Sequence, residues 1–189
     1  MERKKIIILG IILAAVLVLS AFFIYSRQEA KNAVKGIFHQ QDYRIESISP
    51  VFFDNHFGYR AKIDFSNKLL GICGKMIKIK SGLVYTQGGN VLSSIPESEV
   101  RKILKNQGFI EKVKFGNFRI SSINNKCQMD NVYRVLVKLN QKQGRFTHKE
   151  IYLDKFGNIL YSRLAFLGTS PFRKKVKIWG YGPEKFGQD

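Results

Sequence analysis

From Ile6 to Tyr25 the chain reads IIILGIILAAVLVLSAFFIY, twenty residues without a charge. As a helix rising 1.5 Å per residue, such a run spans about 30 Å, the hydrocarbon thickness of a bilayer. The pattern then changes twice. Ala30, Ala33, Val34, Ile37 and Phe38 recur at the spacing of one helical face, which predicts an amphipathic helix that continues the run or breaks near Ser26. From Tyr43 the period becomes two. Tyr43–Ser49, Gly58–Phe65 and Lys75–Tyr85 alternate apolar with polar positions, as half-buried antiparallel strands do, and Pro50 limits the first of them. Gly88-Gly89-Asn90 breaks this series.

A second series follows. Ser94 is placed to cap a helix opening at Pro96, Glu97 and Glu99 favour its positive end, and Val100, Ile103 and Leu104 form its apolar face up to Gly108. Strands are predicted at Ile110–Ile120, Val132–Asn140 and Thr147–Tyr161, the last with a turn sequence at Asp154–Asn158. The two series resemble one unit written twice. Tyr59-Arg60 matches Tyr133-Arg134 at an offset of 74, Lys75, Ile77 and Ile79 meet Lys149, Ile151 and Leu153 at the same offset, and Gly82 meets Gly157 one residue later. The expected class is α+β: a transmembrane helix, then two tandem helix-plus-three-strand antiparallel units. The expected boundaries are a tail at 1–5, an anchor at 6–25, units at 26–90 and 91–165, and a basic aromatic extension at 166–189.

Charge adds a direction. Arg3, Lys4 and Lys5 stand on the short flank, which a positive-inside bias keeps in the cytoplasm, so the remaining 164 residues are expected outside the cell membrane. A cleaved signal peptide also begins with Lys/Arg, but its apolar core is shorter and ends at small residues; this run continues through Phe22-Phe23-Ile24-Tyr25, which favours an uncleaved anchor. Beyond the anchor, 29 basic residues face 13 acidic ones, +16. A field of that sign favours anionic lipid or wall polymer as partners, and an exported domain rarely meets nucleic acid. Cys73 and Cys127 lack metal-ligand or C-x-x-C spacing; outside the membrane they form either a disulfide or two buried thiols.

The helix-then-strands unit, closing in IYLDKFGNILYSR (residues 151–163), resembles a PepSY-type or cystatin-like repeat. The whole layout resembles the TseB-like family of Gram-positive cell-wall regulators, and SIPESEVRKILKNQG (94–108) is similar to that family's opening of its second unit. The resemblance covers residues 1–165 and implies a non-enzymatic module that binds another membrane or cell-wall protein, such as a penicillin-binding transpeptidase. This chain departs from the family in its charge, its two cysteines and its C-terminal extension.

No constellation for catalysis is legible. His39, His56 and His148 are isolated, no H-E-x-x-H or G-x-S-x-G occurs, and Gly88-Gly89 precedes no Lys-Ser/Thr. The reading therefore expects no catalytic, cofactor or metal residues. The suggestive surface is the tail, where Arg173, Lys174, Lys175 and Lys177 stand among Phe172, Trp179 and Tyr181, a mixture suited to a membrane interface or an anionic polymer. Its bland alternative is an edge strand, Lys175–Trp179, with its lysines in solvent. Other functions open at this stage are an electrostatic adaptor, a bitopic subunit of a secretion, conjugation or DNA-uptake apparatus, and an inhibitor of extracytoplasmic peptidases.

Overall fold

The computed structural model describes residues 2–37, 43–121, 126–143 and 146–165. The apolar run and the amphipathic stretch form one unbroken helix, α1 (Glu2–Ile37). Its apolar part, exposed throughout, is long and apolar enough to cross a bilayer. Beyond Ser26 one face packs: Ala30 and Val34 are buried, Val34 against the first sheet. Ile37, expected on that face, is exposed, and Phe38 lies outside the described residues.

The rest is two antiparallel sheets, each a four-stranded meander. The first runs β1 (Arg44–Phe53), β2 (His56–Ile72), β3 (Lys75–Gln87) and β4 (Asn90–Val91). All three of its turns are two-residue turns with both φ angles positive, Asp54-Asn55, Cys73-Gly74 and Gly88-Gly89, the geometry whose twist matches the flanking strands. After α2 (Glu97–Ile103) and a 3-10 turn (Lys105–Gln107), the second sheet runs β5 (Phe109–Ser121), β6 (Lys126–Gln143), β7 (Phe146–Asp154) and β8 (Ile159–Ala165).

Four expectations are corrected. Pro50 does not limit the first strand: β1 runs through it to Phe53, at the edge of the sheet where a proline is tolerated. Each sheet has four strands where three were expected, because Gly88-Gly89 turns the chain into the two-residue β4 and the 147–161 run divides into β7 and β8. Ser94 does not cap α2. Pro96 holds the cap position without a side-chain hydrogen bond, and Ser94 Oγ lies 3.0 Å from the Tyr133 hydroxyl. The repeat holds in topology but not at all of the matched residues. Ala61 of β2 and Val135 of β6 fit the offset of 74, yet their partners across the next strand are Val84 and Ile151, 67 apart. Ile77 is thus no counterpart of Ile151. Nor is Gly82, mid-strand opposite Ile63, a counterpart of Gly157, which sits in the β7–β8 turn at φ +86°.

One matched pair does share a role. The Tyr59 hydroxyl lies 2.6 Å from Ser26 Oγ and 3.4 Å from the Phe23 carbonyl, bracing the first sheet on α1. Tyr133 donates to the Ile95 carbonyl at 2.6 Å, bracing the second sheet on the approach to α2.

The sheets interlock. One apolar cluster joins Val34, Ile63 and Phe65 to Met129, Val132 and Leu160 of the second sheet; another joins Phe53 and Tyr85 to Val100, Leu104, Val135 and Ile151. The β7–β8 turn inserts between the halves, its Phe156 carbonyl accepting from Leu83 N at 2.9 Å and its Lys155 carbonyl from Ile95 N at 3.1 Å. Position 157 favours glycine because its backbone is left-handed, at φ +86°, and a Cβ there would also press on Ile103 Cδ1 at 2.7 Å. Arg60 of β2 reaches Glu99 of α2 at 3.8 Å. Cys73 and Cys127, left open between bond and thiols by the sequence, form a disulfide from the β2–β3 turn to the start of β6.

Candidate functional site

The surface tail chosen from sequence, Phe172, Arg173, Lys174, Lys175, Lys177, Trp179 and Tyr181, lies outside the described residues. Three other places in the fold gather charged or aromatic side chains.

The first is where α1 leaves its apolar run. Arg27, Lys31 and Lys35 recur every four residues and are exposed, forming a basic row along the helix. Arg27 and Lys31, with Ile24, line a groove of about 400 Å³ whose other wall is Ile45–Ile48 of β1. Glu46 stands in this groove and is paired with Lys62 at 2.6 Å, which offsets part of the positive charge. Beside the groove the β1–β2 hairpin descends along α1. The Phe57 ring lies 6.0 Å from that of Phe23 and 5.6 Å from that of Tyr59.

The second place is the face of the second sheet turned away from α2. Residues 148, 150 and 152 of β7 share that face because a strand alternates sides. Glu150, 1% exposed, accepts from Arg134 Nε and from Arg163 Nε at 2.6 Å. Arg163 Nη2 also lies 3.4 Å from the Tyr152 hydroxyl. His148, buried, lies 3.2 Å from Glu111 across the sheet. Arg134 stacks over Phe118 at 5.6 Å. Burial first, and then the Glu150 carboxylate, push the Tyr152 hydroxyl well above the ordinary tyrosine range, so it stays protonated. The cluster neutralises its own charges.

The third is a cleft of about 310 Å³ between the sheets, lined by Phe65, Lys68, Asp130, Asp154, Lys155 and Leu160 among others. Its charges alternate in sign, giving it no preference for one ion type. Asp154 is structural: Oδ1 accepts from Phe156 N at 2.9 Å and Asn158 N at 2.8 Å, and Oδ2 from Asn158 Nδ2 at 3.0 Å. Burial raises its carboxyl above the ordinary value, against those hydrogen bonds. The native state therefore holds this proton more tightly than the unfolded chain does. Stability falls as pH rises from the ordinary Asp value, about 4, through the raised native value. Asp154→Asn, which keeps both Oδ1 bonds, is expected to leave neutral-pH stability nearly unchanged and to flatten that slope. Asp154→Ala is expected to cost about 2 kcal/mol. Denaturation curves of the two variants between pH 4 and 8 check this.

Sequence reasoning found neither the Glu150 cluster nor the hairpin beside α1. The signal for the first was present as His148-x-Glu150-x-Tyr152, polar positions at period two on a strand whose other face is Ile151 and Leu153. Among the described residues no three His, Cys, Asp or Glu side chains gather as a metal would need. No family model, curated protein or solved structure matches the chain.

Proposed function

We propose that the chain is a non-enzymatic single-pass membrane protein whose extracytoplasmic domain binds and regulates another envelope protein, in the manner of the cell-wall regulators whose layout it resembles. The observation that carries this reading is the junction between helix and domain. α1 runs from its apolar segment into the sheet packing without a break, and Tyr59 ties the first sheet to the helix at Ser26. A domain held this way presents a fixed face at a fixed height above a bilayer, which suits engagement of a neighbouring membrane protein.

Two further features support it. The disulfide belongs to an oxidising compartment and agrees with a domain outside the cytoplasm. The buried charges of the second sheet are paired with one another rather than aimed into a cleft. On this reading the twin sheets are tandem units of the cystatin-like or PepSY-like kind, each preceded by a helix.

The test is in-cell photocrosslinking from probes on each sheet and along 172–181, read by mass spectrometry. A dominant adduct with a transpeptidase or another wall-synthesis protein is the expected result; adducts with lipid or wall polymer alone would sink the reading. The basic row Arg27, Lys31 and Lys35 favours a second reading, an electrostatic adaptor for anionic lipid or wall polymer. In that case binding to anionic vesicles weakens steeply with salt.

A further inference from the structure

The tip of the β1–β2 hairpin carries two large aromatic side chains that the fold leaves uncovered. Phe52 is 68% exposed and Phe57 44%, and they face each other across the hairpin. An isolated exposed Phe is ordinary, but exposed apolar groups that continue another apolar surface mark a contact. Here the continuation is physical. Phe57 packs against Phe23, and Phe23 with Phe22 is the exposed end of the apolar run of α1.

Height along the helix decides what could cover the tip. Phe23 lies two residues before Tyr25, about 3 Å below the end of the run at 1.5 Å per residue. Each interfacial layer of a bilayer is roughly 5–8 Å thick beyond the hydrocarbon. A ring in contact with Phe23 therefore sits at the boundary between acyl chains and headgroups. Strand β2 rises from that level: Phe57 meets Phe23, Tyr59 meets both Phe23 and Ser26, and Ile63 joins the cluster that contains Val34. The turn Asp54-Asn55 consequently points back toward the bilayer as the deepest part of the domain, and keeping Asp54, Asn55 and His56 among headgroups sets the Phe22–Phe23 end of the run in the interfacial layer together with the two hairpin Phe rings.

We infer that the β1–β2 hairpin docks into the interfacial layer of the same bilayer that α1 crosses, with Phe52 and Phe57 as its apolar contacts. The tight turn makes this a preformed wedge, since both central residues already hold the left-handed backbone that the turn requires. Arg27, one turn above Phe23 and exposed, reaches the same layer and suits the phosphates there. The helix and the hairpin give two points of attachment, so the domain is seated on the membrane rather than suspended above it. The inference rests on the spanning helix of the proposed function and not on the identity of any partner.

The test uses the full chain in phosphatidylcholine–phosphatidylglycerol bilayers containing acyl-brominated lipid, which quenches indole fluorescence at short range. Trp179, the single tryptophan, is changed to Phe, and one new reporter is introduced at a time: Phe52→Trp, Phe57→Trp, Leu13→Trp inside the run, and Ile37→Trp as the distant reference. Ile37 is exposed and stands about 18 Å beyond Tyr25 along the helix. Strong quenching is expected at 13, and quenching at 52 or 57 roughly twofold or more above that at 37, as for an apolar group lying in the interface. Quenching at 13 with both hairpin reporters at the level of 37 overturns the docking and leaves the span intact. Quenching at 13 no greater than at 37 overturns the span, and the docking with it.

Discussion

Reducing the Cys73–Cys127 bond is expected to cost the domain about 4 kcal/mol, which for a fold of this size is a fall of roughly 10 °C in Tm. The two cysteines are 54 residues apart, and closing a loop of that length removes much of the freedom of the unfolded chain. The position of the bond adds to the argument. It joins the β2–β3 turn of one sheet to the first residues of β6 in the other, beside the apolar cluster that spans both. It therefore restrains the docking of the two sheets as well as the chain within each. Thermal melts of the full chain in micelles, with and without reductant, measure the effect. A Cys73→Ser/Cys127→Ser variant is expected to melt near the reduced protein and to ignore the reductant. An unchanged Tm on reduction would mean that the unfolded chain is already compact around these residues.

Arg163→Met is expected to be the most damaging single substitution outside the apolar core, at about 3–5 kcal/mol. Glu150 and Arg163 have side chains 1% and 2% exposed, and the second partner of Glu150, Arg134, is 35% exposed. Removing Arg163 leaves a buried carboxylate with one cation that is partly turned to solvent. Such a charge cannot be rehydrated in place, which is why breaking a buried pair costs more than the pair contributes. Glu150→Leu alone strands two guanidinium groups and is expected to cost a similar amount. The double variant Glu150→Leu/Arg163→Met strands only Arg134, which can turn outward. Its loss is expected to fall short of the sum of the singles by more than about 1 kcal/mol. Urea denaturation of the four proteins completes the cycle. Singles costing under about 1 kcal/mol would show that water reaches Glu150.

Much of this architecture was legible because it is written in periods. The unbroken apolar run, the face Ala30–Val34 and the alternation in GYRAKIDF each correspond to an element with the expected burial. What the pattern could not carry is register. Ile77 and Ile151 look equivalent along the chain, yet hairpins of different length place Val84, and not Ile77, opposite Ala61. β4 has only two residues and too little pattern to read. The Glu150 cluster was hidden for a different reason: a buried Glu and an exposed Glu look alike until Arg134 and Arg163 arrive from the flanking strands. Phe52 and Phe57 fall between the two strands that the alternation predicts, Tyr43–Ser49 and Gly58–Phe65, so the pattern gave them no face; the longer β1 and β2 and the path of α1 beside the hairpin do.

The unbroken course of α1 also fixes an angle. A helix advances about 100° per residue, so its apolar half and its domain-bearing half keep one azimuth relative to each other. If α1 spans a bilayer as proposed, then whichever side of its apolar half meets a neighbouring helix, the sheets are turned to one compass bearing around that neighbour. One extra residue inserted in the apolar run before Phe22 would swing the whole domain by a little over a quarter turn, while its contacts with Phe23, Ser26 and Val34 stayed chemically the same. On the proposed function, the orientation toward a partner is stored in the phase of a single helix.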